Sequence, residues 1–364
     1  MAPRCESGSW SDSLPRSIDG SILDKPMSRK VRWGVIGAAN IAVKKVIPGM
    51  QKGAWCEVSA LASRDLGKAQ GFARDLGIPR AYGSYDQLLS DPDIEAIYNP
   101  LPNHLHVPWS IKAAEAGKHV LCEKPIALST REAIRLREVR DRTGVRIEEA
   151  FMVRTHPQWI KVLEMIEAGR IGAARSVMGH FSYDNRDPQN IRNLAETGGG
   201  GLMDIGCYLI YFARLVFQDE PRRVVGVIDE DPATRTDVLT SALLDFPGGQ
   251  AVITCGTRMT PFQRVQIVGT RGRIEVQIPV NTPADLACQI LLDDGSDLEG
   301  AGTETLWFEE CDQYTIQGDL FARSIRENTE PVVSLDGSIR NMAVIEAIFR
   351  SAKSGQWEAP AIFD

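Results

Sequence analysis

The feature that most constrains the fold of this chain is a regular alternation of short apolar runs with amphipathic segments from Val31 to about Phe151. Short apolar runs are typical of buried strands, and the helical spacing between them indicates crossover helices. Such a repeat places parallel strands in one sheet with helices on both faces, so we predict a doubly wound nucleotide-binding domain. Its strands are predicted to begin at Val31, Cys56, Ile94, Lys118 and Val145, and its helices at Leu66, Tyr85, His104 and Thr130.

The chain changes character after a helix predicted from about Pro157 to Ala168. Consecutive strand-like runs with Gly-containing turns then predict a large, mostly antiparallel open sheet. These runs begin at Arg175, Arg222, Leu239, Gln250 and Arg264, with helices at Leu202 to Phe217, Asp312 to Asn328 and Ser338 to Ser354. We therefore expect an α/β domain followed by an α+β domain. The predicted division is an N-terminal extension (1–29), a Rossmann domain (30–151) and a substrate-binding domain (152–364) whose last helices can pack back on the first domain.

The predicted second sheet also bears on assembly. An open antiparallel sheet leaves a face or an edge to be covered, and association with a second copy is a common way to cover it. We therefore expect a homodimer or homotetramer formed through this C-terminal sheet.

Composition narrows the class of partner. Lys and Arg number 41 against 48 Asp and Glu, a net charge of −7 without a basic run, which does not indicate a nucleic acid or an anionic membrane. The seven cysteines are scattered and never spaced as CxxC, which argues against a disulfide framework and a zinc ribbon. The first thirty residues contain no apolar stretch typical of a signal or an anchor. We expect a cytoplasmic protein that acts on small molecules.

The extreme N-terminus is open to several interpretations. Residues 1 to 26 are rich in Ser, Asp, Arg and Pro, and Met27 lies just before the first predicted strand. The segment fits a disordered extension, a start-site artefact, or an arm that grips a neighbouring subunit.

A degenerate dinucleotide fingerprint follows the first strand, where GxGxxG is replaced by GxAxxA at Gly37, Ala39 and Ala42. Gly37 supplies a tight turn, Ala39 keeps the backbone accessible, and Ala42 allows close packing of the helix on the strand. The helix that begins near Asn40 offers free N–H groups to a pyrophosphate. Taken alone, an ordinary strand-turn-helix explains this motif about as well.

The end of the second strand concerns the choice of cofactor. NAD-specific sites usually place Asp or Glu there to hold the ribose 2′-hydroxyl, whereas this strand ends in Ser63 and Arg64. A hydroxyl, a guanidinium and Lys68 one helical turn later suit a 2′-phosphate, so NADP is favoured over NAD. The alternative is that Arg64 and Asp65 only cap and solvate the following helix.

A lysine ends the strand that begins at Lys118, in the triplet Glu123-Lys124-Pro125. This position is the lip of the ligand crevice in a doubly wound fold, and the following proline keeps Lys124 extended. We expect the Lys124 ammonium to point into the cleft. An ordinary surface lysine is the alternative.

Two polar residues, Asp204 and Tyr208, follow a run of four glycines, Gly198 to Gly201. The glycines permit close approach of the backbone to a ligand, and Asp204 and Tyr208, four residues apart, are expected to share one helix face. The alternative makes Asp204 a helix-stabilising carboxylate and Tyr208 a core aromatic.

Together these motifs resemble the glucose-fructose oxidoreductase, inositol dehydrogenase and rhizopine-catabolism group (Gfo/Idh/MocA), over about residues 31 to 350. The motifs are GAANIA from Gly37, NPLPNHLH from Asn99, EKP from Glu123, EAFMVR from Glu149 with Pro157, and GGGGLMDIGCY from Gly198. The resemblance implies an NAD(P)-dependent enzyme of sugars or cyclic polyols with Lys124 and Asp204 in the substrate site. Many relatives carry His where this chain has Tyr208. In having a tyrosine at this position, the chain resembles the branch with glucose-fructose oxidoreductase and dihydrodiol dehydrogenase. This resemblance favours an aldose or a dihydrodiol over inositol as the substrate.

The site residues that we expect on this basis fall into two sets. Those expected to contact the cofactor are Gly37, Ala39, Asn40, Ile41, Ser63, Arg64, Lys68, Leu101, Pro102, Asn103, His106, Glu123 and Lys124. Those expected to contact the substrate are Lys124, Arg154, Asp204 and Tyr208, with an exposed helix-start arginine as the alternative for Arg154. His106 is expected to line the nicotinamide pocket. His104 and His106 without a third ligand do not indicate a metal, so none is expected.

The chemistry requires an acid or base at the reacting oxygen, because hydride leaves carbon only as the hydroxyl proton leaves oxygen. We expect Tyr208 to fill this role, with the Lys124 ammonium lowering its pKa and Asp204 orienting the substrate. Lys124 as the proton-transfer group is the open alternative.

The predicted function is an NADP-dependent aldose dehydrogenase or aldose-aldose oxidoreductase. A trans-dihydrodiol or anhydrosugar reductase is the second hypothesis. A regulatory sensor that binds the dinucleotide without turnover is a third, against which the intact polar groups around Lys124 argue.

Overall fold

The computed structural model describes residues 29–363. Nearly all of the expected N-terminal extension, including the possible arm, therefore lies outside the described residues.

The first domain contains six parallel strands in the order β3-β2-β1-β4-β5-β6. The strands are β1 (Val31–Ile36), β2 (Cys56–Ala62), β3 (Arg80–Tyr82), β4 (Ala96–Asn99), β5 (His119–Cys122) and β6 (Ile147–Glu149). The strand order reverses between β1 and β4, so a crevice opens beyond their carboxyl ends, where doubly wound folds bind ligands. The sequence predicts every strand here except β3, a three-residue, half-buried edge strand without an apolar run.

Helices cover both faces of this sheet. They are α1 (Ile47–Lys52), α2 (Leu66–Asp75), α3 (Tyr85–Leu89), α4 (His106–Glu115) and α5 (Thr130–Thr143), with a π-helical turn (Ala42–Val46) before α1. Side chains of Asp65, Ser84 and Ser129 accept hydrogen bonds from the first turns of α2, α3 and α5, as N-caps do. These caps fix where each helix begins, close to the positions that the sequence predicts.

The second domain is built on an eight-stranded sheet in the order β14-β13-β12-β11-β7-β10-β9-β8. Only the β7–β10 pair is parallel, so the sheet is mostly antiparallel, as predicted. Its strands are β7 (Ala174–Asp184), β8 (Arg223–Asp231), β9 (Thr236–Asp245), β10 (Gln250–Gly256), β11 (Arg258–Gly269), β12 (Arg273–Val276), β13 (Cys288–Asp293) and β14 (Thr303–Phe308). The predictions omit β13 and β14, which extend the sheet at one edge.

One helix forms the centre of the second domain. A π-helical segment (Leu202–Gly206) leads into α7 (Cys207–Phe217), and α6 (Pro157–Glu167), α8 (Gln313–Glu327) and α9 (Leu335–Ser354) complete the helices of the described chain beyond β6, apart from short 3₁₀ turns. The stretch Ala195–Phe217 has a mean hydropathy of 1.4, enough to span a membrane by composition, but 94% of it is buried inside the protein. It is apolar on all sides because the sheet covers one side and α9 packs on another. It is therefore a core helix.

The chain returns to the first domain through α8. Asp319 accepts hydrogen bonds from the backbone N–H groups of Ala54 (2.8 Å) and Trp55 (2.9 Å), and Phe321 packs on Trp33 with ring centroids 5.6 Å apart. These contacts hold the two sheets in one arrangement, with the crevice of the first domain facing the start of α7.

Candidate active site

The turn after β1 requires a glycine. Gly37 has a φ of +112°, and a Cβ there would lie 2.9 Å from Cδ2 of Leu101, the second residue beyond β4. Because the backbone is left-handed here and a Cβ would crowd the Leu101 side chain, any residue other than glycine would be strained. Ala39 and Ile41 are half-buried and Asn40 is exposed at the start of the helix, whose N–H groups face the crevice end of the sheet. The turn is thus shaped for a ligand with a negative charge near its backbone.

The end of β2 lies beside this turn. Asp65 caps α2 by accepting from the backbone N–H of Lys68 at 3.0 Å, so the capping role belongs to Asp65 rather than Arg64. Arg64 is exposed, and its guanidinium lies near the Tyr85 hydroxyl, where burial raises the pKa of the tyrosine and Arg64 opposes that rise. Ser63 is buried and Lys68 exposed. The structure therefore places an exposed guanidinium, beside the Tyr85 hydroxyl, next to the Gly37 turn.

His106 is held on both sides by backbone carbonyl groups. Its ring is 1% exposed, with Nδ1 2.7 Å from the carbonyl oxygen of Pro125 and Nε2 2.7 Å from that of Leu101. Burial lowers the pKa of His106 to about 4. Because both ring nitrogens are engaged by the backbone, neither is available to hydrogen-bond the nicotinamide, and the lining of the nicotinamide pocket by His106 stays a prediction. His106 ties together the loops that follow β4 and β5.

Three other residues that the sequence predicts at the cofactor lie in the loops that follow β4 and β5. Pro102 and Asn103 are half-buried, and the Asn103 side-chain amide donates to the Gly198 carbonyl oxygen at 2.8 Å. Glu123 accepts the Tyr98 hydroxyl at 2.6 Å, and burial raises its pKa. Asn103 and Glu123 therefore also brace the walls of the crevice.

The centre of the site is an ion pair between Lys124 and Asp204. The Lys124 Nζ lies 3.0 Å from Asp204 Oδ1 and also donates to the Asp204 carbonyl oxygen, and each side chain is only 12% exposed. Burial alone would lower the pKa of Lys124, but the Asp204 carboxylate reverses this and raises it. Burial alone would raise the pKa of Asp204, but Lys124 and Arg192 hold it well below its usual range. The site thus keeps an ammonium at the carboxyl end of β5.

Two residues that the sequence analysis does not identify complete this cluster. The Tyr183 hydroxyl donates to Asp204 Oδ2 at 2.7 Å, and Arg192 Nε donates to the same oxygen at 2.9 Å. Burial and the nearby Asp204 raise the pKa of Tyr183 far above its usual range, so it stays protonated. The available signals were weak: Tyr183 is the penultimate residue of β7, and Arg192 lies six residues before the glycine run.

Tyr208 differs most from the prediction. Its hydroxyl lies 3.4 Å from the Met152 sulfur, and its ring packs edge-on against Phe151 with centroids 5.3 Å apart. Lys124 Nζ lies over the face of the ring, 5.1 Å from its centroid. Burial raises the pKa of Tyr208 well above its usual range, so the expectation that Lys124 lowers this pKa is wrong. The tyrosine forms the apolar floor beneath the ammonium.

The helix geometry explains this difference. Residues four apart align on an α-helix, but Leu202–Gly206 is π-helical, with wider turns closed by i to i+5 hydrogen bonds. The Asp204 carboxylate therefore turns to Lys124 and Arg192, while the Tyr208 hydroxyl turns to Met152. Both side chains nevertheless reach Lys124, Asp204 with its carboxylate and Tyr208 with its ring, so they face the same lysine as expected.

The glycine run, Gly198 to Gly201, packs closely against neighbouring parts of the protein. A Cβ at Gly198 would lie 2.1 Å from Leu128 Cδ2, one at Gly199 2.5 Å from the Arg192 carbonyl oxygen, and one at Gly200 2.0 Å from Asp237 Oδ1. The neighbours that exclude side chains at these positions are parts of the protein, so the fold itself requires the glycines. Asp237 also accepts the Leu202 backbone N–H at 2.6 Å and thereby caps the helix that carries Asp204.

Arg154 is buried. It is 1% exposed within the 3₁₀ turn Met152–Thr155, so it is not an exposed helix-start arginine, and its contact with the substrate stays a prediction. Among residues 29–363, no group of three or more His, Cys, Asp or Glu side chains forms a metal site.

Comparison with known proteins places this geometry in a family. A family model described as "Oxidoreductase family, NAD-binding Rossmann fold" matches residues 31–151, and one described as "GFO/IDH/MocA C-terminal domain" matches residues 159–275.

Individual relatives agree over most of the chain. An uncharacterised oxidoreductase of Rhizobium meliloti is 50% identical over 90% of this chain and 98% of its own length. D-xylose 1-dehydrogenase (NADP(+)) 2 of Haloferax volcanii is 37% identical over 89% of this chain and 98% of its own. The crystal structure of a 3-ketoreductase from Actinomadura kijaniata with NADP and TDP-benzene has a TM-score of 0.82 at 30% identity, covering 89% of this chain and 98% of that chain. The chain therefore belongs to the Gfo/Idh/MocA family of NAD(P)-binding oxidoreductases that act on sugar hydroxyl or keto groups.

Proposed function

We propose that this protein is an NADP-dependent oxidoreductase of an aldose or a related cyclic polyol, in which Lys124 transfers the proton. The observation that carries the proposal is the Lys124–Asp204 ion pair, 3.0 Å apart and almost fully buried, at the carboxyl end of β5. A xylose dehydrogenase and a 3-ketoreductase whose names or structures include NADP support the cofactor, and the xylose dehydrogenase also supports an aldose as substrate.

The residues around Gly37 fit a dinucleotide phosphate. The missing Cβ of Gly37, the helix start at Asn40 and the half-buried Ala39 leave the backbone open to a pyrophosphate. Ser63 and the exposed Arg64 offer a hydroxyl and a guanidinium where a 2′-phosphate would lie. When bound, the cofactor supplies or accepts the hydride.

Lys124 is the side chain best suited to transfer the proton to and from the reacting oxygen. Asp204 keeps it charged, so in reduction it can polarise the carbonyl oxygen and then donate a proton to the alkoxide. In oxidation the same nitrogen must first release its proton to solvent, which its raised pKa favours only at alkaline pH, and it then accepts the hydroxyl proton as the hydride leaves carbon. Asp204, held by Tyr183 and Arg192, fixes the ammonium in place throughout.

The proposal is tested by following nicotinamide absorbance while the protein is incubated with NADP and a panel of aldoses, cyclic polyols and trans-dihydrodiols. We expect NADP-dependent turnover of at least one aldose. Turnover of none of them, with NADP still bound, would favour a regulatory sensor and contradict the proposal.

Cofactor choice gives a separate prediction. Arg64→Ala should weaken NADP binding about 10–150-fold and leave NAD binding nearly unchanged, because only NADP carries the 2′-phosphate and a hydrogen bond to a charged group is worth about 1.5–3 kcal/mol. Titration calorimetry with both nucleotides measures this. Arg74→Ala, at the far end of the same helix and exposed, is the matched control. Equal losses for NADP and NAD would refute the assignment of Arg64.

The second sheet supports a prediction about assembly. Helices α7 and α9 cover one face, whereas the other carries exposed apolar side chains, with Val252 (47% exposed) paired in register with Met178 (40%) and Val227 (74%) nearby on β8. We propose that a second copy of the chain covers this face. Light scattering should show a dimer or larger even assembly that Val252→Lys weakens, while Leu298→Lys in an exposed loop does not. A monomer at micromolar concentration would contradict it.

A further inference from the structure

The guanidinium of Arg192 is only partly used by the protein. Its Nε donates to Asp204 Oδ2 at 2.9 Å, yet the side chain is 43% exposed, against 12% for Asp204. Within residues 29–363 its two terminal nitrogens make no hydrogen bond. The cluster therefore presents free N–H donors to the crevice, next to the Lys124 ammonium.

The position of Arg192 is fixed by its backbone as well as by Asp204. Its carbonyl oxygen accepts the Gly200 N–H at 2.9 Å, and Gly199 packs so closely on this carbonyl that a Cβ would lie 2.5 Å away. Thr197 closes the same turn by donating to the Ile191 carbonyl oxygen at 2.6 Å. A long side chain that starts from a rigid turn and is gripped at Nε loses little freedom on binding a ligand.

The charges around Arg192 indicate what its free nitrogens can bind. Lys124 and Arg192 are cations, and Asp204 and Glu123 are the carboxylates that face them. Asp204 is the counter-ion of both cations, and Glu123 adds a second carboxyl group whose pKa is raised by burial. A guanidinium with unused N–H groups then pairs with neutral oxygen acceptors, of which a sugar offers several.

The geometry of the carboxylate suggests which oxygen Arg192 binds. Lys124 lies on Oδ1 of Asp204 and Arg192 on Oδ2, so two donors flank one carboxylate side by side. If Lys124 serves the reacting oxygen, as the proposed function requires, Arg192 is next to the oxygen on the neighbouring carbon. We infer that Arg192 is a specificity-determining residue that binds the hydroxyl adjacent to the reacting one, so that the enzyme selects substrates with vicinal oxygens.

The inference is tested with a substrate that lacks the adjacent hydroxyl. The probes are D-xylose or D-glucose, whichever is oxidised faster, and its 2-deoxy analogue. The wild-type protein should prefer the parent sugar by about 10–100-fold in kcat/KM, because the analogue leaves a charged donor unpaired. Arg192→Met, which keeps the packing stem and removes every donor, should reduce this preference to a few-fold or less, mainly through a raised KM for the parent sugar.

Three comparisons make the result decisive. Arg192→Lys should restore part of the preference, and Arg186→Met, an exposed arginine of the same loop paired with Asp184, should leave it unchanged. NADP affinity should be the same in all variants. If Arg192→Met discriminates as strongly as wild type, or if wild type does not discriminate, the inference is overturned while the proposed function stands. If the wild-type protein oxidises neither sugar, the pair is replaced by the fastest substrate of the panel and its deoxy analogue, and turnover of no compound in the panel means that the proposed function itself fails.

Discussion

Lys124→Met is expected to lower kcat by about 10²–10⁴-fold, the usual cost of losing a general acid or base. Met keeps most of the side-chain volume against the Tyr208 ring but removes the ammonium that Asp204 holds charged. Asp204 retains the Tyr183 hydroxyl and Arg192 as partners, so its carboxylate is not left unpaired. Folding should therefore survive, and the loss should appear in turnover.

Steady-state kinetics and NADP titration together check this expectation. NADP affinity should change little, because the groups proposed to hold the phosphates lie on other loops. Lys161→Met, a half-exposed lysine of α6 paired with Glu164, is the control and should behave as wild type. Turnover of the Lys124 variant within a few-fold of wild type would show that this ammonium does not transfer the proton.

Asp204→Asn is expected to be nearly as damaging, with a fall in kcat of about 10²-fold or more. The amide keeps the shape of the carboxylate but not its charge, so both Lys124 and Arg192 lose their shared counter-ion. The pKa of Lys124 is raised by Asp204 against the lowering effect of burial, and without the carboxylate burial should dominate.

The pH profile distinguishes this account from simple loss of structure. With Asp204 present, Lys124 stays protonated through the neutral range, so reduction should fall only at alkaline pH. In Asp204→Asn the pKa of Lys124 should drop, and the alkaline fall in reduction should move to lower pH. An unchanged profile with a uniformly lower rate would indicate that Asp204 acts only as a structural residue.

Much of the fold is predictable from sequence because its signals are local. Buried parallel strands read as apolar runs, caps such as Asp65 mark helix starts, and Gly37 follows β1 where a left-handed turn is needed. The strands β3 and β14 escape prediction because they lie at sheet edges, where little of each strand is buried. Pairing with the neighbouring strand, rather than local pattern, makes them strands. The other omitted strand, β13, is paired on both sides and largely buried.

The site is less predictable because its geometry depends on an irregular helix and an irregular loop. Lys124 and Asp204 can be identified from their motifs, and they do meet. The orientation of the Tyr208 hydroxyl cannot be predicted from the sequence, because the π-helical turn before it changes which residues align. Arg192 and Tyr183 reach Asp204 from a loop and from the end of a strand, and no periodic spacing links them to it in the sequence.

The central claim is that Lys124, rather than Tyr208, transfers the proton, and turnover of Tyr208→Phe tests it most directly. Phe keeps the ring that packs on Phe151 and lies under Lys124, and removes only a hydroxyl that faces the Met152 sulfur. We predict that Tyr208→Phe retains kcat within a few-fold of wild type, with NADP affinity unchanged, while Lys124→Met measured beside it loses nearly all activity. A fall of about 10²-fold or more in Tyr208→Phe would contradict the account and assign the proton transfer to the tyrosine.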